Sequence, residues 1–406
     1  MGFSDKKAKR CGVDSLIIQF IYLAIIIVLG GGVLYLRRKA SGNKSFYKFV
    51  LIILGLLLAA YTVNGTSIIH FDRYFLGSVG VLLLVILMFE LSVRLNPENI
   101  RITRKHLTRI GLLVIANLVI ITLLATVLLG IDLVQAMVYA LIISTIEFFI
   151  IEELRAEGDL ANPLLLLFSF LVFGFYVSMQ STFFSLLYFL QYLLIGLGMG
   201  VLVGILVFKS LKHRRITWFH ELALIAAALT LFICTEYVNG SGLFAVMVMG
   251  MFYGNSFVRK RADYKSFSPF IFKSLEMLIF ILIGFAIPLL LSWKTFWQSL
   301  LIFVVYLALR FVVITLVHKS YSLKNKFYLT IAPKGMILGI MIILLSTYLQ
   351  GSTALVNSLL MILLLSLIVS TIAEHLEHKK IMRLDRLFEV LKKIRFGRKQ
   401  DLKQKR

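Results

Sequence analysis

The segment from Phe327 to Leu349, FYLTIAPKGMILGIMIILLSTYL, is long and apolar enough to cross a bilayer, yet it holds Pro333-Lys334-Gly335 inside it. Proline removes a backbone donor and clashes with the preceding turn, and glycine adopts conformations that other residues avoid. A lysine placed in hydrocarbon costs roughly 2.5–3.5 kcal/mol on insertion scales. Unwound backbone survives at membrane depth only where protein covers it or where it lines a watery cavity. A broken helix carrying a buried cation is therefore expected to be half of an ion site in a secondary transporter.

The rest of the chain agrees with a membrane setting. Of its 406 residues 60% are hydrophobic, against the 45–50% usual for soluble domains, and the mean hydropathy is +0.93. The net charge of +23 with a pI near 10.0 would suggest nucleic-acid binding in a soluble protein. No nucleic-acid-binding motif accompanies it, and cytoplasmic loops of membrane proteins collect Lys and Arg. No nucleic-acid partner is expected. Cys11 and Cys234 lie in unlike surroundings, so neither a disulfide framework nor a metal site is implied, and the chemistry requires no cofactor beyond a transported cation and proton. The first apolar run ends in Arg37-Arg38-Lys39 without a small-residue cleavage site, which reads as a retained helix.

Apolar windows place spans at 14–36, 46–63, 74–94, 107–129, 132–154, 162–180, 183–208, 216–238, 240–256, 267–291, 296–317, 327–349 and 354–375. The division at Asn239-Gly240-Ser241-Gly242 follows from charge. The basic loops around Arg214-Arg215 and Arg259-Lys260-Arg261 both belong in the cytoplasm, so an even number of spans separates them. The expected fold is thus an all-α polytopic protein of about 13 transmembrane helices in the plasma membrane, with the N-terminus outside and the C-terminus cytoplasmic. Lys6, Lys7, Lys9 and Arg10 fit that orientation poorly, since they would lie outside.

An odd count suggests symmetry. With span 7 as a linker, spans 1–6 and 8–13 form inverted repeats, a common transporter plan. Broken span 12 is then matched by span 5, which carries Ser144-Thr145-Ile146-Glu147 partway along. Two discontinuous crossing helices are expected. Beyond the transmembrane domain of residues 1–375, the tail at 376–406 sets Ile381, Leu384, Leu387, Phe388, Leu391 and Ile394 at helical spacing among twelve basic and four acidic residues. It reads as a basic amphipathic helix lying on anionic lipids.

Charges within spans are few: Glu90, Glu147, Glu236, Glu276, Arg310 and Lys334, with Lys273 nearer an end. Each is a functional candidate by its cost, and each has a structural explanation too. Arg310 can brace helix ends and carbonyls. Glu90 sits near the inner end of span 3, where snorkelling to water is easy. Glu276 is one turn from Lys273 and suits an ordinary helix pair. Glu147 and Lys334 fall at matching depth on spans 5 and 12. A cation or proton competing with the lysine for that carboxylate is the minimum physics of exchange, and a permanent salt bridge between broken helices is the other reading.

These residues also carry a resemblance. Thr235 to Asn255, TEYVNGSGLFAVMVMGMFYGN, runs from a Glu before a Gly-Ser-Gly turn to a Gly-x-x-x-Gly-Asn ending. Leu329 to Gly335 reads LTIAPKG, Met88 to Val93 reads MFELSV, and Arg310 precedes the broken span. In order and spacing, from about Gly55 to Leu376, the chain resembles the monovalent cation:proton antiporter superfamily, the sodium/proton exchangers. The resemblance implies a core bundle (spans 4–6 and 11–13) moving against a scaffold (spans 1–3 and 7–10), a homodimer, and a transporter rather than an enzyme. The residues themselves place the expected ion or proton site at Glu147, Thr145 and Ser144, with Lys334 as charge partner and Pro333, Gly335, Arg310 and Glu236 in support. The departures are specific. Thr145-Ile146-Glu147 stands for the family's T-D-P, Lys334 stands for the Arg of A-P-R-G, and span 6 has no acid where the family carries an aspartate. The expected activity is exchange of Na+ or K+ for protons by alternating access. The alternatives are a non-transporting or regulatory relative, or a transporter of an anionic substrate drawn to Lys334.

Overall fold

The computed structural model describes residues 18–32, 44–60, 62–63, 66–67, 71–93, 117–144, 186–212, 219–256, 264–286, 292–317, 323–331, 336–348 and 353–378. They form α1 (Ile18–Gly32), α2 (Lys44–Ala60), α3 (Arg73–Val93), α4 (Asn117–Leu129), α5 (Leu133–Ser144) and α6 (Leu186–Lys212). There follow α7 (Phe219–Tyr237), α8 (Gly242–Ser256), α9 (Tyr264–Ala286) and α10 (Trp293–Val317). The last three are α11 (Leu323–Ile331), α12 (Met336–Tyr348) and α13 (Thr353–His378). The described residues are almost entirely helical. Span 6, the ends of spans 4 and 5 at 107–116 and 145–154, and the tail from 379 on lie outside the described residues.

Four described helices are long and apolar enough to cross a membrane, at Tyr74–Val93, Tyr188–Val207, Trp293–Leu316 and Thr353–Ala373, and shorter apolar helices accompany them. Large apolar side chains also face outward: Val28 on α1, Val127 on α4 and Leu194 on α6 are each more than half exposed. That two-sided apolarity belongs to a bundle whose surroundings are hydrocarbon. At the start of α10, Trp293, Phe296 and Trp297 pack on one another, with both tryptophans exposed, in the manner of residues at a membrane interface.

One expectation is corrected at span 2. The helix stops at Ala60, short of the expected 63, and Thr62–Val63 pairs antiparallel with Thr66–Ser67. Residues Thr62-Val63-Asn64-Gly65-Thr66-Ser67 carry the physical cause, since β-branched residues flanking Asn-Gly favour a two-residue hairpin over a continued helix. Hydropathy alone does not register that signal.

Close backbone approaches tie the bundle together. α8 lies between α6 and α3. A Cβ at Gly196 or Gly200 would meet the carbonyl oxygens of Ser241 and Ala245, and one at Gly254 would fall on that of Val93. The Gly250-x-x-x-Gly254 spacing is thus the contact face toward α3, the small-residue geometry by which membrane helices approach closely. Gly254→Ala is expected to destabilise the protein by about 2 kcal/mol or more, because backbone cannot swing aside as a side chain can. Thermal unfolding in detergent measures it, and an unchanged melting temperature would contradict the packing.

α12 occupies the centre. All ten residues from Met336 to Leu345 are buried, as befits a helix apolar on every side. It packs on α3, α9, α13 and α5, with Gly77 and Gly80 of α3 admitting Thr347, Ile343 and Leu344.

Candidate functional site

α11 and α12 divide expected span 12 on either side of 332–335, so Pro333, Lys334 and Gly335 themselves lie outside the described residues. Thr145 and Glu147 do too. The two candidate strands of the site are therefore reached through their flanks. α5 ends at Ser144 and packs against both α12 and α13, which brings spans 5 and 12 together.

Ser144 is buried, and its hydroxyl accepts from the Asn117 Nδ2 at 3.4 Å. Asn117 opens the described part of α4, which returns antiparallel to α5 through the turn at 130–132, where Gly130 takes a positive φ of 65°. Pairing residue 117 with 144 follows from that hairpin. Five residues earlier on α5, the Tyr139 hydroxyl meets Ser358 Oγ at 2.6 Å, and the Ser299 hydroxyl donates to Ser358 Oγ at 3.0 Å. This chain of hydroxyls joins α5, α13 and α10 inside an otherwise apolar core. Gln298, next to Ser299, donates to the Leu128 carbonyl in the last turn of α4, where intrahelical donors run out. Sequence reasoning missed Asn117, Tyr139, Ser299 and Ser358, because neutral polar residues are common in spans and reveal themselves only when helices are placed side by side.

Glu236 has a defined structural task. Its Oε1 accepts the backbone N–H of Gly242 at 2.9 Å and the Tyr192 hydroxyl at 3.2 Å. It thereby satisfies an orphan donor at the N-terminus of α8, where a negative charge also suits the helix dipole. The turn before it is built to match. Asn239 is left-handed at φ 56°, Gly240 N–H donates to Thr235 O and Asn239 N–H to Glu236 O, the paired bonds of a Schellman cap. Ser241 then caps α8 through its hydroxyl to Phe244 N–H. The Glu…Gly-Ser-Gly stretch is a helix stop followed by a helix start, which separates α7 from α8 where the loop charges require. Glu236→Ala is expected to cost about 1.5–3 kcal/mol of stability, the range for hydrogen bonds to charged groups. The readout is thermal unfolding in detergent. A change in cation affinity with stability intact would instead give Glu236 a direct part in the site.

Two other expectations change. Glu90 is not snorkelling: only 3% of it is exposed, because α8 and α12 both pack on α3 and cover that end. Glu276 turns away from Lys273 and pairs with Lys48 of α2 at 2.8 Å, while Lys273 is exposed. Arg310 is buried on α10 with its guanidinium 6.0 Å from the centroid of the Tyr306 ring, one turn earlier. Among the described residues no cluster of three or more His, Cys, Asp or Glu is placed to hold a metal.

The sequence pattern of the family described as "Sodium/hydrogen exchanger, transmembrane" matches residues 160–375, more than half of the chain. The chain belongs to the sodium/hydrogen exchanger family. Glu236, Arg310 and Pro333-Lys334-Gly335 fall within the matched stretch, and Ser144 to Glu147 precede it. A curated relative, the "K(+)/H(+) antiporter NhaP" of Alkalimonas amylolytica, is 25% identical over 226 residues. That match covers 51% of this chain and 39% of the relative, so the chain spans well under half of that protein's length. Among solved structures, the sodium proton antiporter MjNhaP1 from Methanocaldococcus jannaschii at pH 8 aligns with a TM-score of 0.67 and 18% identity. The alignment covers 88% of this chain and 99% of MjNhaP1, and it shows a common fold. The chain is a multi-pass membrane protein of a family of transporters.

Proposed function

We propose that this protein exchanges a monovalent cation, Na+ or K+, for protons across the plasma membrane by alternating access. The observation that carries the reading is the family match over 160–375, and the fold shared with a sodium proton antiporter and the likeness to a K(+)/H(+) antiporter agree with it. Glu147 binds the cation or proton. Thr145 and Ser144 add oxygens, and Lys334 in the broken span is the competing charge. The contact between α5 and α12 supports that pairing, because it brings the flanks of both candidates into one place. Pro333 and Gly335 interrupt span 12. Arg310 and Glu236 hold the neighbouring helices.

The motion follows from inverted repeats of spans 1–6 and 8–13 within about 13 spans. Spans 4–6 and 11–13 move as a core against spans 1–3 and 7–10, with residues 1–375 as the transport unit. The N-terminus is outside. The basic tail lies on anionic cytoplasmic lipids, and two copies associate as a homodimer. Purified protein in liposomes with an imposed pH gradient tests the activity. With an inside-acid gradient, external Na+ or K+ is expected to enter as protons leave, dissipating the gradient, and no cation-dependent proton movement under either ion would end the reading.

A further inference from the structure

We propose that Asn117 supplies a neutral carbonyl oxygen to the transported cation, making α4 a third wall of the site beside Ser144. The inference deepens the exchange reading and rests on it. Asn117 is only 7% exposed, and its Nδ2 is committed to Ser144 Oγ. Its Oδ1 is buried and has no hydrogen-bond partner among the described residues. An amide oxygen stripped of water and left without a donor is costly, and native chains seldom keep one without a use.

The neighbourhood says which use. Several hydroxyls in these helices bond back to their own backbone, as Thr235 does to Leu231 O and Thr371 to Leu367 O, and so offer little to a ligand. Asparagine in mid-span has no comparable outlet for its carbonyl. The hydrogen bond to Ser144 fixes the amide against the last described residue of α5, and Glu147 follows three positions later in the sequence. Small hard cations take oxygen ligands, including amide carbonyls, and carbonyl rings can replace an ion's hydration shell. A neutral oxygen also fits an exchanger with no acid in span 6. It contributes coordination without adding a second negative charge that would hold protons in place of the ion.

Proteoliposome exchange with Na+ and K+ tests this. Asn117→Leu, which keeps the branched shape of the side chain and removes the amide, is expected to raise the apparent KM for the cation about tenfold, the worth of one good polar contact, with the maximal rate within about threefold. Its melting temperature in cation-free detergent is expected to equal or exceed that of the parent, since a buried unsatisfied oxygen is gone. A purely structural amide gives the opposite pair: lower melting temperature and unchanged KM. Asn117→Asp retains an oxygen and adds a charge, so it is expected to bind the cation at least as tightly and to shift the pH profile of exchange. Parental KM and pH profile in Asn117→Asp overturn the proposal, whatever Asn117→Leu does. Exchange by the parent protein with indifferent Asn117 variants defeats this inference alone. Absence of exchange in the parent defeats the exchange reading and this inference with it.

Discussion

Liposomes containing Glu147→Gln are expected to exchange cation for proton about 100-fold more slowly than those containing the parent protein. Glutamine keeps the size of the side chain and one acceptor oxygen, but it can neither lose a proton nor balance a cation's charge. Hydrogen bonds and contacts involving an ionised group are worth about 1.5–3 kcal/mol, and the upper part of that range corresponds to two orders of magnitude in affinity or rate. The alternative role, a fixed salt bridge with Lys334, predicts a different pattern. Glu147→Gln would then lower the melting temperature, and Lys334→Gln paired with it would restore much of the loss. Transport and stability therefore separate the two. If exchange persists at the parental rate in Glu147→Gln, the carboxylate that replaces the family's aspartate is somewhere else, and Glu90, buried on α3, becomes the first place to look.

What was legible in the sequence divides along a physical line. Membrane insertion is a property of single segments, so hydropathy located α3, α7, α8 and α10 closely, and the loop charges required the break between Tyr237 and Gly242. The chemistry of that break is local as well, since the left-handed Asn239 and the Glu236 cap lie within a few residues of each other. The hairpin after α2 was equally local, but its signal is turn chemistry rather than hydropathy. Pairings between helices belong to another category. Whether Glu276 faces Lys273 on its own helix or Lys48 on α2 depends on helix rotation and register, which no single-segment pattern encodes. The same limit hid Asn117 behind Ser144, 27 positions away, and the hydroxyls of Tyr139 and Ser358, 219 positions apart. The resemblance supplied the fold. It offered nothing at Asn117, because none of the motifs that carry it falls on span 4.

The Lys48–Glu276 pair carries the second large effect. The ammonium and carboxylate are 2.8 Å apart with their side chains only 11% and 14% exposed, and Lys48 also sits 5.4 Å from the centroid of the Phe280 ring. It lies beside the seam where Gly55 of α2 meets the Ile281 carbonyl and Gly284 of α9. Desolvating both charges is expensive, so the pair is weak evidence for net stability, whereas stripping it of one partner leaves a charge in an apolar seam. Lys48→Met or Glu276→Leu alone is expected to cost about 3–5 kcal/mol, and the double replacement to return within about 1 kcal/mol of the parent. Thermal unfolding of the four proteins completes a double-mutant cycle. α2 and α9 pack chiefly on each other and, among the described residues, neither packs closely on α5, so the apparent KM for cation in any variant that folds is expected to stay at the parental value. Two single losses that simply add would mean that each side chain is held by other neighbours. A shifted KM would mean that this seam is coupled to the ion site, and the division into a moving core and a fixed scaffold would then need to be redrawn through α9.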